Sequence, residues 1–273
     1  MVVGQQILGF TYHKSGTVLL EQVLRRVAVR FAMTVDTRYG MATGLDLTTD
    51  IVLLPHSLLG FALDRPFRGV RIVRDPRDIW VSSYLYHCRC AEAWCVGVGD
   101  AAAPIGYPAV DFSMVHRPER WKRDYLRRLG GRSYRDNLRA RDRADGLAFE
   151  LAGYTGSTLE AMRGWRARPE VMDLQIEAIA ADFDGAMGRM FRHLGFDAAQ
   201  CEEAVGLAAA EDVARMGDAA VAANPHIHAR GLSRWPGVLT AAQVAAFEAA
   251  QGDLIRSLGY VLSTGGDGAG CRI

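Results

Sequence analysis

Short apolar runs alternate with longer segments of helical period along this chain. Four runs have the pattern of buried strands: 5–12, 51–54, 69–73 and 171–175. The first is followed by a turn at 13–16 and a helix whose apolar stripe runs from Leu20 to Phe31. Strands alternating with helices predict a three-layer α/β fold, in which helices flank a central parallel sheet.

Three further helices are predicted from the same period and from end signals. One covers 77–87, directly after the third strand, and another carries an apolar stripe that begins at Ile179 and ends near Gly195. The last opens at Thr240 with a capping-box spacing and closes at Gly259, a residue type suited to the position after a helix.

Length and composition favour a single domain over 1–273, with a variable region at about 88–164 where the pattern loosens. The 32 basic and 31 acidic residues nearly cancel, so bulk charge gives no sign of a nucleic-acid partner, and any anion site is local.

Neither a signal segment nor a membrane span is predicted. Five cysteines, an odd count, favour reduced thiols and a cytoplasmic location.

The turn at 13–16 has the character of an anion site. A helix that starts just after a strand presents unpaired N–H groups and its positive dipole end to one point. Lys14 adds a mobile charge there, Gly16 allows close backbone approach, and the Ser15 and Thr17 hydroxyls add donors. Because Lys14 precedes Ser15-Gly16, the Walker A pattern of ATP-binding loops is not met.

A second constellation follows the strand 69–73. Arg74 stands at its carboxyl end, and Pro76 is suited to start the next helix. Ser82 lies eight residues after Arg74, about two helical turns in, and is expected to face back towards it. Because ligands of parallel sheets bind at the carboxyl ends of strands, we expect Arg74 and Lys14 to face one crevice.

A histidine also stands at this predicted edge. His56 follows the strand 51–54 and is the first candidate for a general base, with His13 as the alternative. The cluster of His87, Cys88, Cys90 and Cys95 lacks paired zinc-ligand spacing, so no metal site is predicted.

The first loop resembles the 5′-phosphosulfate loop of sulfotransferases that use 3′-phosphoadenosine-5′-phosphosulfate (PAPS), usually Tyr-Pro-Lys-Ser-Gly-Thr-Thr-Trp. The Lys, Ser, Gly and first Thr are kept as Lys14, Ser15, Gly16 and Thr17. The chain departs from the family with His13 for Pro, Val18 for the second Thr and Leu19 for Trp.

The second constellation resembles the family's 3′-phosphate motif, Arg-Asn-Pro-Lys-Asp followed after three residues by Ser. Arg74, Pro76, Asp78 and Ser82 match in register. Near the C-terminus, Arg230-Gly231 resembles the family's Arg-Lys-Gly loop. By this resemblance, Arg74, Ser82, Arg230 and Gly231 would bind the 3′-phosphate.

The resemblance implies a P-loop-like nucleotide-binding architecture and transfer of a sulfuryl group from PAPS to a hydroxyl or amine of a small-molecule acceptor. The product would be 3′-phosphoadenosine-5′-phosphate (PAP). Lys14 would act on the leaving phosphate, Ser15, Gly16, Thr17 and Val18 would surround it, and His56 would be the base. The region 88–164 would recognise the acceptor, and its aromatic residues are Trp94, Tyr107, Phe112, Trp121 and Tyr154.

Two alternatives stay open at this point. A nucleotide kinase would use Asp75 as a metal carboxylate. A non-catalytic nucleotide- or RNA-binding protein would use the basic segment 116–143, although such a run is more often the solvated face of helices. The identity of the acceptor and the oligomeric state are not predicted.

Overall fold

The computed structural model describes residues 5–98, 118–223 and 231–263, with backbone alone for 118–123. The strands are β1 Gln6–Phe10, β2 Val35–Thr37, β3 Met41–Ala42, β4 Ile51–Leu54, β5 Leu58–Leu59, β6 Phe67–Val73 and β7 Val171–Gln175. Five of them form a parallel sheet in the order β2-β4-β1-β6-β7, and β3 pairs with β5 separately.

The helices lie between and after these strands. They are α1 Thr17–Arg30, α2 Pro76–His87, α3 Ala93–Val96, α4 Pro118–Leu129, α5 Tyr134–Arg139, α6 Arg143–Glu150, α7 Gly156–Gly164, α8 Ile176–Ala181, α9 Phe183–His193, α10 Ala198–Ala208, α11 Asp218–Ala223, α12 Trp235–Val238 and α13 Ala241–Ser257. A π-helical turn at Leu151–Thr155 joins α6 to α7. No helix in the described part of the chain is both long and apolar enough to cross a bilayer.

Alternate residues of each central strand pack on opposite faces of the sheet. Ile7 of β1 packs into a core with α1, α9 and α10, whereas the next residue, Leu8, packs on the other side. A further core on that side joins α2, α7 and α13 to the end of β6. The predicted three-layer α/β fold with a central parallel sheet is therefore confirmed.

Most strand and helix predictions agree with the structure, and one helix differs. The strands 51–54 and 171–175 are confirmed, and α13 carries the predicted capping box between Thr240 and Gln243. The stripe that starts at Ile179 belongs to two helices instead of one. The helix is interrupted at Asp182, whose backbone is not helical and whose side chain accepts the N–H of Gly185 at 3.0 Å to cap the second helix.

The topology determines where a ligand can bind. β1 lies between β4 and β6 in the sheet. The connection after β1 leads through α1 to β2 on one side, whereas the connection after β6 leads to β7 on the other, so the connections diverge between β1 and β6 and leave a crevice at the carboxyl edge of the sheet. The segments that follow β4, β1 and β6 are neighbours at that edge, and they carry His56, Lys14 and Arg74.

Candidate nucleotide-binding site

The loop after β1 is a tight turn stabilised by its own buried hydroxyl. Ser15 is 0% exposed; its Oγ accepts the N–H of Tyr12 at 2.8 Å and lies 2.9 Å from the Tyr12 carbonyl and 3.1 Å from that of Ile72. Thr17 Oγ1 is 2.8 Å from Thr11 Oγ1. The Ser15 hydroxyl therefore holds the loop against β6, while Thr17 lines the cleft above it.

The start of α1 leaves N–H groups open to this cleft. The first helical bond runs from the Leu20 N–H to the Gly16 carbonyl at 3.0 Å, so the N–H groups of Thr17, Val18 and Leu19 have no carbonyl one turn earlier in the helix. Gly16 has φ of 114°, and no acidic residue lies in the first turn. This end of α1 is an anion-binding geometry without a carboxylate of its own.

Lys14 projects beside this helix end and is surrounded by positive charge. Burial and the charges of Arg74, Arg234 and Arg89 together lower its pKa to about 8, whereas Glu92 opposes them. Its Nζ lies 4.2 Å from the centre of the Tyr86 ring. Lys14 forms no ion pair within the described part of the chain, so a bound anion would relieve both burial and repulsion.

The structure brings Arg74 and Ser82 together, as their spacing predicts. Arg74 is 8% exposed, and its Nη1 lies 3.4 Å from Ser82 Oγ and donates to the Lys14 carbonyl at 3.1 Å. Its Nη2 donates to the Leu232 carbonyl at 2.7 Å. The Nε is buried and has no hydrogen-bond partner among the described residues. A buried guanidinium with an unused donor and no carboxylate partner is suited to an anion.

The charged residues between Arg74 and Ser82 are structural. Asp75 caps α2 by accepting the N–H of Arg77 at 2.9 Å, and its carboxylate also pairs with the Arg77 guanidinium. Arg77 pairs in addition with the buried Glu248 of α13. Because Asp75 does not line the cleft and is already neutralised, it is not available there as the metal ligand that a kinase would need.

Asp78 fastens the C-terminal loop to the same helix. Its Oδ1 accepts the N–H groups of Arg234 at 2.7 Å and Trp235 at 3.1 Å. Burial raises the pKa of Asp78, and these hydrogen bonds oppose that effect. The Trp235 ring stacks on Arg77 at 4.2 Å. The segment from Gly231 to Trp235 is thereby held at the cavity, which Gly231, Leu232 and Arg234 line.

Both candidate bases line the cleft. His56 Nδ1 accepts the N–H of Gly40 at 2.8 Å, and burial lowers its pKa to about 4. In neutral His56 the ring hydrogen is therefore on Nε2. Nε2 can accept a proton only after it has lost this hydrogen. His13 stacks on His87 with ring centres 4.8 Å apart, and His87 Nδ1 is 2.9 Å from the buried Glu150 carboxylate.

These residues share one cavity of about 720 Å³. Of the sequence-predicted site residues, it is lined by His13, Lys14, Gly16, Thr17, Val18, His56, Arg74, Ser82 and Gly231. Ser15 lies beneath its surface, and Arg230 lies outside the described residues.

Two walls of the cavity were not predicted as such. An apolar end is formed by Leu19 with Ile179, Phe183, Val213 and Met216. On the other side Trp94 and Tyr154 stack at 5.1 Å beside Tyr86. Of the five aromatic candidates that the sequence offered in the region 88–164, Trp94 and Tyr154 line the cavity. Tyr107 and Phe112, as well as the Trp121 side chain, lie outside what the structure describes. Arg234 is a further lining cation that no motif indicated.

The cysteine cluster takes part in packing. Cys90 and Cys95 are buried with Tyr125, Tyr134 and Tyr154. In the described part of the chain, no group of three His, Cys, Asp or Glu side chains is placed to hold a metal ion.

No family model and no curated protein matches this sequence. Among solved structures, the chain is similar to a mouse sulfotransferase crystallised with PAP. That match has 14% sequence identity and a TM-score of 0.49, and it covers 93% of this chain and 87% of the mouse chain.

Proposed function

We propose that this chain moves a sulfuryl group from PAPS to a hydroxyl or amine of a small-molecule acceptor and releases PAP. The observation that carries the proposal is the convergence of Lys14 and Arg74 on one cavity beside the open N-terminus of α1. Neither cation has a carboxylate partner in the described part of the chain. The matches to both nucleotide motifs, at positions that the fold makes neighbours, support the same conclusion.

The two phosphate-bearing ends of the nucleotide would bind to different elements. The 5′-phosphosulfate is assigned to Lys14 and the N–H groups at the start of α1, with Gly16 allowing close approach. The 3′-phosphate is assigned to Arg74, Ser82 and the loop at Gly231, to which Arg230 belongs. The apolar end that begins at Leu19 takes the base, since it offers the aliphatic and aromatic contacts that a planar purine needs.

Transfer forms one S–O or S–N bond and breaks the S–O bond to the 5′-phosphate. Negative charge then develops on the phosphate oxygen, and Lys14 with the helix N–H groups would stabilise it without a metal. The acceptor's proton passes to His56 or His13. The Gly40 hydrogen bond and the low pKa of His56 disfavour that residue as a base near neutral pH. His56→Gln and His13→Gln therefore decide the assignment, because only loss of the base should abolish turnover with PAP binding intact.

The two alternative functions have weaker support. Asp75, the carboxylate that the kinase alternative would use, is bound to Arg77 instead. In the described part of the basic segment 116–143, several side chains make contacts within the protein. Five of its arginines donate to an acidic side chain or to carbonyl oxygens: Arg127, Arg128, Arg135, Arg139 and Arg141.

Calorimetry with PAP at low salt tests the proposal, followed by turnover of labelled PAPS with a metabolite pool. We expect PAP to bind without Mg²⁺ and Lys14→Met to abolish sulfuryl transfer. Arg256→Ala, which removes an exposed charge on α13, is the matched control and should behave as wild type. Absence of PAP binding, or binding of ATP only with Mg²⁺, contradicts the proposal.

A further inference from the structure

Arg234 is held at the cleft by its backbone, which leaves its side chain free to bind. Its N–H donates to Asp78 at 2.7 Å, and Arg74 fixes the loop two residues earlier through the Leu232 carbonyl. The Arg234 guanidinium forms no ion pair in the described part of the chain, and Arg234 lines the cavity with Arg74 and Lys14. Anchoring through the main chain means that this side chain is not needed to hold the loop in place.

The positive charges around Arg234 are close enough to perturb one another. Burial and the charge of Arg74 lower the pKa of Arg234, Arg89 adds to the effect, and Asp78 opposes it. Lys14 is affected by Arg234 in the same way. Asp78 is the carboxylate whose charge compensates Arg234, but its Oδ1 accepts main-chain N–H groups. This arrangement is unfavourable in an empty site and favourable once a multiply charged anion occupies it.

An unused donor lies at the same place. Arg74 Nε is buried without a hydrogen-bond partner among the described residues, although both of its terminal nitrogens are bonded. The Arg74 guanidinium thus has capacity for an oxygen ligand in addition to its contacts with the protein. This observation is independent of the charge on Arg234.

We propose that Arg234 is a specificity-determining residue that binds the 3′-phosphate together with Arg74, and so selects a nucleotide phosphorylated at both ends. The inference rests on the proposed function and adds to it a residue that is not among the positions matched to the three motifs. A guanidinium presents paired N–H donors, which match two oxygens of one phosphate.

The test compares PAP with AMP, which lacks only the 3′-phosphate, in wild type and in Arg234→Ala. Loss of a charge-assisted pair weakens binding by about tenfold to a hundredfold. We expect that loss for PAP and a change of less than about threefold for AMP. Arg234→Lys keeps the charge without the fork and should lie between wild type and Arg234→Ala. Arg256→Ala controls for a change of net charge, and thermal unfolding of each variant checks folding.

Each outcome separates this inference from the proposed function. If wild type binds PAP but Arg234→Ala binds it equally well, the role of Arg234 is refuted while the proposed function stands. If the substitution weakens PAP and AMP equally, Arg234 either contacts the 5′-phosphate that both share or acts only through its positive charge in the cavity. That result refutes the assignment of Arg234 to the 3′-phosphate. If wild type does not bind PAP at all, both proposals fall together.

Discussion

PAP binding should weaken as pH rises through about 8, because Lys14 loses its proton in the free site. Burial and three arginines hold the Lys14 pKa at about 8, against an ordinary value of 10.5. A bound 5′-phosphate returns the pKa towards that value, so the bound form keeps the proton at pH values where the free form has lost it. The affinity for PAP is therefore highest below about pH 8 and falls as the pH rises above it.

The size of the effect follows from the two pKa values. If binding restores the full value of 10.5, affinity at pH 9.5 is about 20-fold weaker than at pH 7.5. Binding near pH 9 should also take up close to one proton, roughly 0.9. Because the 3′-phosphate loses its second proton near pH 6, the comparison is made only above pH 7.5.

Calorimetry in two buffers of different ionisation enthalpy measures both quantities. Lys14→Met should bind PAP more weakly at pH 7.5 and show little change up to pH 9.5. An affinity that is flat across this range in wild type refutes the reasoning, and so does an equal slope in the Lys14→Met variant. Arg256→Ala should reproduce the wild-type slope, since its charge lies outside the cleft.

Three further substitutions test how the cleft is built. Gly16→Ala should destabilise the fold by at least about 1–2 kcal/mol in urea unfolding, since φ is 114° and the new Cβ would lie 2.6 Å from Ile176 Cδ1; unchanged stability would contradict it. Asp78→Ala should weaken PAP binding severalfold by releasing the C-terminal loop, and wild-type affinity would show that the loop holds without it. Thr240→Ala removes the cap on Gln243 and should cost about 1 kcal/mol of stability, with PAP affinity unchanged; calorimetry that shows a lost affinity would place α13 in the site.

The sequence determined those features that depend on neighbours along the chain. Strand 51–54, the stripe of α1 and the capping box of α13 follow from spacing and residue type, which act over one or two helical turns. The approach of Ser82 to Arg74 is of the same kind, because eight residues across a helix start bring the two side chains to one face. The wrong prediction of a single helix through Asp182 also has a local cause. The Asp182 side chain caps α9, and this capping competes with a continuous helix along the apolar stripe.

Only the tertiary structure decided the contacts by which distant segments hold the site together. Asp78 meets Arg234 across 156 residues, and Arg77 meets Glu248 across 171, and neither pair leaves a period in the sequence. The Gly40 N–H that occupies His56 Nδ1 is equally invisible in a motif. Such contacts depend on how the layers pack around the sheet, since long-range pairing is set by the fold as a whole and not by the spacing of residues within any one segment.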